Sequence, residues 1–208
     1  MNNKYQKTFV VAICGATGVA LSLRLLKHLL EKPFRIYLII SKAGYDVLKH
    51  EFGFDGCDVH SFLSSQGVGY HLNAILITCD NDDYFNSPAS GSFLHDGMII
   101  APCSMKTLGA IANGINDNLI CRAADVTLKE RRPLVLVTRE SPLNLVHIKN
   151  MMAAHEAGAL IMPPVLQFYN GTDSIITMID IFIGRIFNYL SIEHFLCKEW
   201  GQQDAIIT

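Results

Sequence analysis

Thr8-Phe9-Val10-Val11-Ala12-Ile13 runs through Cys14 into Gly15-Ala16-Thr17-Gly18, after which Val19, Leu23, Leu26 and Leu30 recur at helical spacing. A short β-branched apolar run, a glycine turn and an amphipathic stretch make a strand–turn–helix unit. Pro33 ends the helix, and Arg35–Ile40 is a second apolar run. The alternation continues down the chain. Further strands are predicted over Ala74–Thr78, Gly97–Ala101, Leu134–Thr138 and Ala159–Met162. Helices are predicted from Ser41 to Glu51 and over Val59–Leu63, Ser104–Ala112, Asn118–Glu130, Pro142–Ala157 and Ser174–Leu190, with a polar loop over Cys79–Ser92. Near-continuous apolar strands separated by helices form a parallel sheet covered on both faces. The expected fold is therefore a three-layer α/β/α domain, flavodoxin/Rossmann-like, with residues 1–208 as one unit.

Composition agrees with this and removes other classes. Of 208 residues, 50% are hydrophobic and the mean hydropathy is +0.27, enough for one large core, whereas only 17% are charged. Soluble proteins average about 25%, so burial of surplus apolar surface between copies of the chain is expected. Seventeen basic and nineteen acidic residues leave a net charge of −2, which argues against nucleic acid or an anionic membrane as partner. No apolar run nears the roughly 18 residues of a membrane span, and the polar Met1–Lys7 start lacks a signal-peptide pattern. Six scattered cysteines without a Cys-x-x-Cys pair fit reduced thiols in the cytoplasm.

Ligands of open parallel sheets bind beyond the carboxyl ends of the strands. Gly15–Gly18, Ser41-Lys42, Cys103-Ser104, Arg139-Glu140 and Pro163–Tyr169 fall there. The glycine turn can present backbone N–H groups to an anion at a helix start. It is not the dinucleotide fingerprint: GxGxxG is incomplete, and Ser41-Lys42 stands where an acidic residue would take the ribose, so a mononucleotide fits better. Cys103-Ser104-Met105-Lys106-Thr107 opens a helix with two hydroxyls and a lysine, as a cap, a phosphate site or both. Cys103 has no neighbouring histidine to activate it. Between Arg122 and Glu140 lie Arg122, Lys129, Arg131, Arg132 and Arg139. Arg131 and Arg132 read as a solvated helix end, Asp125 and Lys129 as an i,i+4 pair. Arg139 reads as a phosphate clamp beside Glu140, a proton shuttle or merely its counter-ion. Asp80-Asn81-Asp82-Asp83 reads as a solvated acidic turn rather than a metal site, and no metal is expected. Pro88–Ser92 is small enough to close over a ligand, with Tyr84 as an aromatic wall.

Taken together, Gly15–Gly18, Ser41-Lys42-Ala43, Ala89-Ser90-Gly91-Ser92, Pro102–Thr107, the nineteen-residue block Arg122–Glu140 and Pro163–Tyr169 resemble the flavin prenyltransferase family of the UbiX/Pad1 type. The likeness runs from the first strand to Trp200, and the nineteen-residue block is its most specific part. It implies a flavodoxin-like protein that joins a dimethylallyl group from dimethylallyl phosphate to N5 and C6 of reduced FMN. The prenylated FMN would go to a UbiD-type decarboxylase, in ubiquinone synthesis or aromatic acid decarboxylation. By position, Gly15, Ala16, Thr17, Ser41, Ser104, Met105, Lys106, Thr107 and Arg139 would hold FMN. Ser90, Arg122, Lys129, Arg139, Tyr169 and Arg185, with Tyr84 and Trp200, would surround the donor. Glu51, Glu140, Lys129 and Thr17 match catalytic positions, Glu51 reaching across a subunit contact. The resemblance also implies a homo-oligomer, a dodecamer, with residues 191–208 packed on a neighbour or over the site. Thr17 stands where serine is usual, and Tyr84 where another aromatic is frequent. Two rival readings remain at this level. One is an FMN-dependent decarboxylase of cysteine-containing substrates, for which His28 and His50 are badly placed. The other is a non-catalytic FMN carrier.

Overall fold

The computed structural model describes residues 6–165 and 174–197. The chain forms two compact units, Met1–Pro164 and Val165–Thr208. The first holds six strands: β1 (Thr8–Ile13), β2 (Arg35–Ile40), β3 (Ile75–Asp80), β4 (Gly97–Cys103), β5 (Leu134–Thr138) and β6 (Leu160–Ile161). All pair in parallel, in the order β3-β2-β1-β4-β5-β6. Its helices are α1 (Val19–Leu30), α2 (Lys42–Phe52), α3 (Val59–Ser65), α4 (Met105–Ala112), α5 (Leu119–Lys129) and α6 (Leu145–Glu156). Strand order reverses at β1, so the crevice between the carboxyl ends of β1 and β4 is the topological switch point.

Burial follows from this order. Every residue of the central strands β1, β4 and β5 is buried, as a sheet covered on both faces requires. Edge strand β3 buries only Leu76 and Cys79. α1 lays Val19, Leu23, Leu26 and Leu30 into the core as its spacing predicts, and its Ser22 hydroxyl donates to the Ala101 carbonyl at 2.5 Å. α4 and α5 supply Leu108, Ile111, Leu119, Ala123 and Ala124 against Val10, Ala12, Ile100 and Leu136.

Several boundaries differ from the sequence reading, and three of the differences have a clear local cause. β3 runs on through Cys79 and Asp80, because Ile39 and Ile40 of β2 continue the parallel ladder to them; backbone pairing overrides side-chain polarity there. β4 reaches Cys103 past a register shift between Ile100 and Cys103 that accommodates Pro102, which has no N–H to give. α6 starts at Leu145 rather than Pro142, because Asn144 and His147 close a reciprocal capping box. Its outer face exposes Leu145, Val146, Ile148 and Met152. Among the described residues no helix is long and apolar enough to cross a membrane.

The second unit contains α7 (Ile175–Tyr189). The residues after it fold back on this helix: His194 Nε2 lies 2.8 Å from Asn188 Oδ1, and the His194 ring meets Phe187 edge-on.

One buried histidine gives stability a pH dependence. His95 is 7% exposed, stacks on Phe93 and has Nε2 3.4 Å from the Thr127 hydroxyl. Burial, helped by the Arg132 charge, pushes its pKa down from 6.5 to about 4. A depressed histidine leaves the unfolded chain holding more protons between these values, so stability falls as pH drops from 6.5 towards 4 and is unaffected by this group above 6.5. At 1.36 kcal/mol per unit the loss is about 3 kcal/mol by pH 4. Urea unfolding of the wild type and His95→Phe at pH 7.5 and 5 measures it; equal slopes in the two proteins would refute the assignment.

Candidate functional site

Helix starts gather along this sheet edge because each follows a strand's carboxyl end, and two of them, those of α2 and α4, begin on a capping hydroxyl. Ser41 Oγ accepts from Gly44 N–H at 3.0 Å and Ser104 Oγ from Thr107 N–H at 3.3 Å. Backbone approach is close here. A Cβ at Gly15 would collide with Ala43 Cβ, and one at Gly44 would lie 2.6 Å from the Ile13 carbonyl oxygen. Glycine at both positions lets α2 abut the end of β1.

The result is a cleft of about 510 Å³ lined in part by Gly15, Ser41, Lys42, Ser104, Lys106 and Thr107, of a size usual for small-molecule sites. The two capped helix starts and the two lysines are the parts of it that favour an anion. Five residues expected to hold FMN therefore lie together: Gly15, Ser41, Ser104, Lys106 and Thr107. Ala16, Thr17, Met105 and Arg139 are not part of this lining, and Met105 packs against the core instead.

The far wall of the cleft was not foreseen. It is formed by Asp46, Asn81, Asp82, Asp117, Asn118 and Cys121. Asn118 caps α5 by accepting from Cys121 N–H at 3.0 Å, and Asn81 accepts from Ile120 N–H at 3.2 Å, which docks the start of α5 on the end of β3. Asp82 thus belongs to a cleft wall as well as to an acidic turn. Asparagine at a strand end and asparagine one residue before an apolar helix were the available signals.

Thiol chemistry is suppressed in this region. Burial pushes Cys14 and Cys121 up to about 11 and holds Cys103 well above its ordinary value. Cys14 Sγ accepts from the Thr107 hydroxyl at 3.3 Å. A neutral buried thiol is a poor nucleophile, consistent with Cys103 as a packing residue.

The glycine turn is occupied by a protein carboxylate. Glu51, at the end of α2, accepts from Gly18 N–H at 2.9 Å and from Val19 N–H at 3.0 Å. Within its own chain Glu51 caps α1, whose Gly18 offers no side-chain cap. Thr17 is exposed beside it. Arg139 approaches the same turn, its Cδ 3.8 Å from a Cβ built on Gly18. Glu140 is exposed, its carboxylate accepting from Ser141 N–H at 3.0 Å. At the end of β5, next to Arg139, the buried Thr138 hydroxyl has no hydrogen-bond partner among the described residues.

A second polar group forms where α5 meets residues 87–93. Arg122 Nε donates to the Ala89 carbonyl at 3.1 Å. Lys129 Nζ pairs with Glu130 at 3.1 Å, and both lie against Gly91. The Ser90 and Ser92 hydroxyls are 2.8 Å apart. Two sequence readings change here. Asp125 bonds Arg122 at 3.2 Å and Asn116 at 3.1 Å rather than Lys129, because Lys129 turns towards Gly91. Arg132 is not a solvated helix end: it donates to the carbonyls of Phe93 at 2.6 Å and Gly91 at 2.9 Å. Tyr84 donates to the Asn116 carbonyl at 3.0 Å, tying its loop to the α4–α5 connection. Among the described residues no hydrogen bond or ion pair joins this Ser90–Arg122–Lys129 group to Arg139. Arg185 is exposed on α7 in the second unit, and Tyr169 and Trp200 lie outside the described residues.

With this geometry in place, comparison with known proteins is informative. The family described as Flavoprotein matches residues 1–198. Flavin prenyltransferase UbiX of Methanocaldococcus jannaschii is 38% identical over 192 residues, 92% of this chain and 97% of that protein. The mitochondrial flavin prenyltransferase PAD1 of Saccharomyces cerevisiae is 41% identical, over 93% of this chain and 75% of its own. The solved structure of AnUbiX in complex with FMN and dimethylallyl pyrophosphate superposes with a TM-score of 0.85 at 37% identity, covering 96% of this chain and 100% of that one. A dodecameric FMN-dependent UbiX-like decarboxylase from Escherichia coli O157:H7 gives 0.82 at 34% identity, over 93% and 98% of the two chains.

Proposed function

This chain belongs to the UbiX/Pad1-type flavin prenyltransferases of the flavoprotein family, and from that premise we propose that it joins a dimethylallyl group from dimethylallyl phosphate to N5 and C6 of reduced FMN, the product passing to a UbiD-type decarboxylase. The observation that carries the reading is the presence of two separate anion-binding features on one chain. The switch-point cleft suits the flavin mononucleotide, and the Ser90–Arg122–Lys129 group suits a second phosphate.

Reduced FMN supplies the nucleophilic N5 and then C6. The residues of the chain manage charge and protons around it. As the allylic carbon–oxygen bond breaks, its electron pair goes to the departing phosphate. Lys129, Arg139, Arg185 and the Tyr169 hydroxyl stabilise the growing negative charge there, which makes a metal dispensable. Tyr84 and Trp200 wall off the allylic group, whose positive charge an aromatic face shelters. Glu140, or the released phosphate, accepts the proton lost from C6. Glu51 holds the Gly15–Gly18 turn, with Thr17 in it, and Ala16 and Met105 shape the flavin's surroundings.

The separation of Arg139 from Lys129 within one chain is in keeping with a site completed by a second copy. Exposed apolar residues on α6 and the dodecameric relative favour a homo-oligomer. The unpaired cysteines fit the cytoplasm.

Anaerobic incubation with reduced FMN and dimethylallyl phosphate, followed by mass spectrometry of the released flavin, tests the proposal. A flavin heavier by one C5H8 unit, with inorganic phosphate released in equal amount, is the expected product. Bound but unmodified FMN, together with an unactivated partner decarboxylase, would leave a flavin carrier.

A further inference from the structure

We propose that Arg132 is a positioning residue for the donor-phosphate subsite: it sets residues 90–92 against Lys129. This rests on the functional reading above, in which Ser90 and Lys129 receive the phosphate of the donor.

The geometry begins at the end of α5. Glu130 closes the helix, Arg131 takes the left-handed conformation with φ 56°, and Arg132 follows. Arg131 N–H donates to the Leu128 carbonyl and Arg132 N–H to that of Thr127, each at 2.9 Å. This is a Schellman ending, and its left-handed position is one that glycine usually fills. The chain accepts a non-glycine residue there, and the reversal brings Arg132 back towards the loop before β4.

Arg132 then uses both terminal nitrogens. One donates to Phe93 O at 2.6 Å and the other to Gly91 O at 2.9 Å. A planar guanidinium can hold two carbonyls in fixed relation, whereas an ammonium acts as a point charge. Arg122 holds a third carbonyl, Ala89 O, from the opposite end of the same segment. The segment so fixed is Ser90-Gly91-Ser92, with its paired hydroxyls. Gly91 lies so close to α5 that an added Cβ would come within 2.9 Å of Lys129 Nζ. Arg132 therefore holds the backbone that carries Ser90 against α5, on which Lys129 stands, without needing to touch the donor itself.

The test measures donor binding, flavin binding and turnover separately. Dimethylallyl phosphate is titrated calorimetrically into FMN-loaded protein, wild type, Arg132→Gln and Arg132→Lys, alongside FMN affinity, prenylated-flavin formation and thermal midpoint. Arg132→Gln is expected to weaken donor binding and raise its KM about 10- to 100-fold, with FMN affinity within twofold and a smaller change in kcat. Arg132→Lys keeps the charge, loses the fork and should recover less than half of that loss on a logarithmic scale. Unchanged donor affinity in Arg132→Gln overturns the proposal. So does an equal loss of FMN and donor binding, which marks a purely structural residue, or full recovery by lysine. If Arg132→Gln does not fold, Arg132→Lys decides by the same criteria. If the wild type binds the donor but forms no adduct, the prenyl-transfer reading fails while the binding comparison still judges Arg132. A wild type that binds no donor overturns both.

Discussion

Lys129→Ala protein is expected to bind FMN like the wild type and to form prenylated flavin at least about a hundredfold more slowly. Removing one preorganised charge from the place where charge develops typically costs a factor of roughly 10² to 10³ in rate. Lys129 stands on the last turn of α5, half-exposed and ion-paired with Glu130, and an exposed pair of this kind contributes little to stability. The variant should therefore fold normally and leave the cleft between α2 and α4 intact. Single-turnover formation of the adduct, with flavin fluorescence titration as the control, separates the two effects. Glu140→Gln should behave similarly, since it removes a proton acceptor worth roughly 10² to 10⁴ in rate without touching the cleft. Wild-type rates in both variants would return Lys129 and Glu140 to the status of ordinary surface charges.

Gly44→Ala is expected to damage the fold and the flavin cleft together. The added methyl group would lie 2.6 Å from Ile13 O, 3.1 Å from Ile40 Cγ2 and 3.2 Å from Ser41 Oγ. The first of these is backbone at the end of a central strand, and it already accepts from Ser41 N–H at 3.0 Å, so it cannot yield. α2 must move instead, at a cost of about 2 kcal/mol or more, the range of core overpacking. Ser41, Lys42 and Ala43 move with it, and all three line the cleft, so FMN affinity should fall at least about tenfold. Urea unfolding and FMN titration check this. An unchanged midpoint with unchanged affinity would mean that α2 is not pinned to β1 in the way the distances indicate. Gly91→Ala makes an instructive contrast, because its nearest atoms are the ends of two flexible side chains, Glu130 Oε1 and Lys129 Nζ.

Legibility along the sequence depended on how local the cause was. β1, β2 and β5 were readable to the residue, because a buried parallel strand is an unbroken apolar run; α1 was readable from its spacing, although it ends at Leu30, before Pro33. Ser41, Ser104 and Asn118 were readable as helix starts, since a cap acts within three residues of itself. The cleft residues Gly15, Ser41, Ser104, Lys106 and Thr107 followed, because in a doubly wound sheet the strand ends are the binding edge. Cys79 and Asp80 were not readable as strand, as their pairing comes from β2, forty residues earlier. Asn81 and Asp117 joined the cleft only when β3 and α5 were brought side by side.

The charged residues divide in the same way. Their number and their crowding between Arg122 and Glu140 belong to the sequence, as does the family resemblance that the comparisons bear out. Their partners do not. Asp125 was within reach of both Arg122 and Lys129, and Lys129 turned to Gly91, 38 positions away. Glu51 found the Gly18 and Val19 N–H groups across 33 positions, and Arg132 found the carbonyls of Gly91 and Phe93. By itself the sequence determined the alternation of strands and helices, the binding edge and the chemistry available there. Which cation holds which carbonyl, and which carboxylate caps α1, was decided only in the tertiary structure. Hydropathy and capping are set by neighbours along the chain, whereas a long charged side chain has many rotamers and takes whichever partner the packed backbone puts within three ångströms.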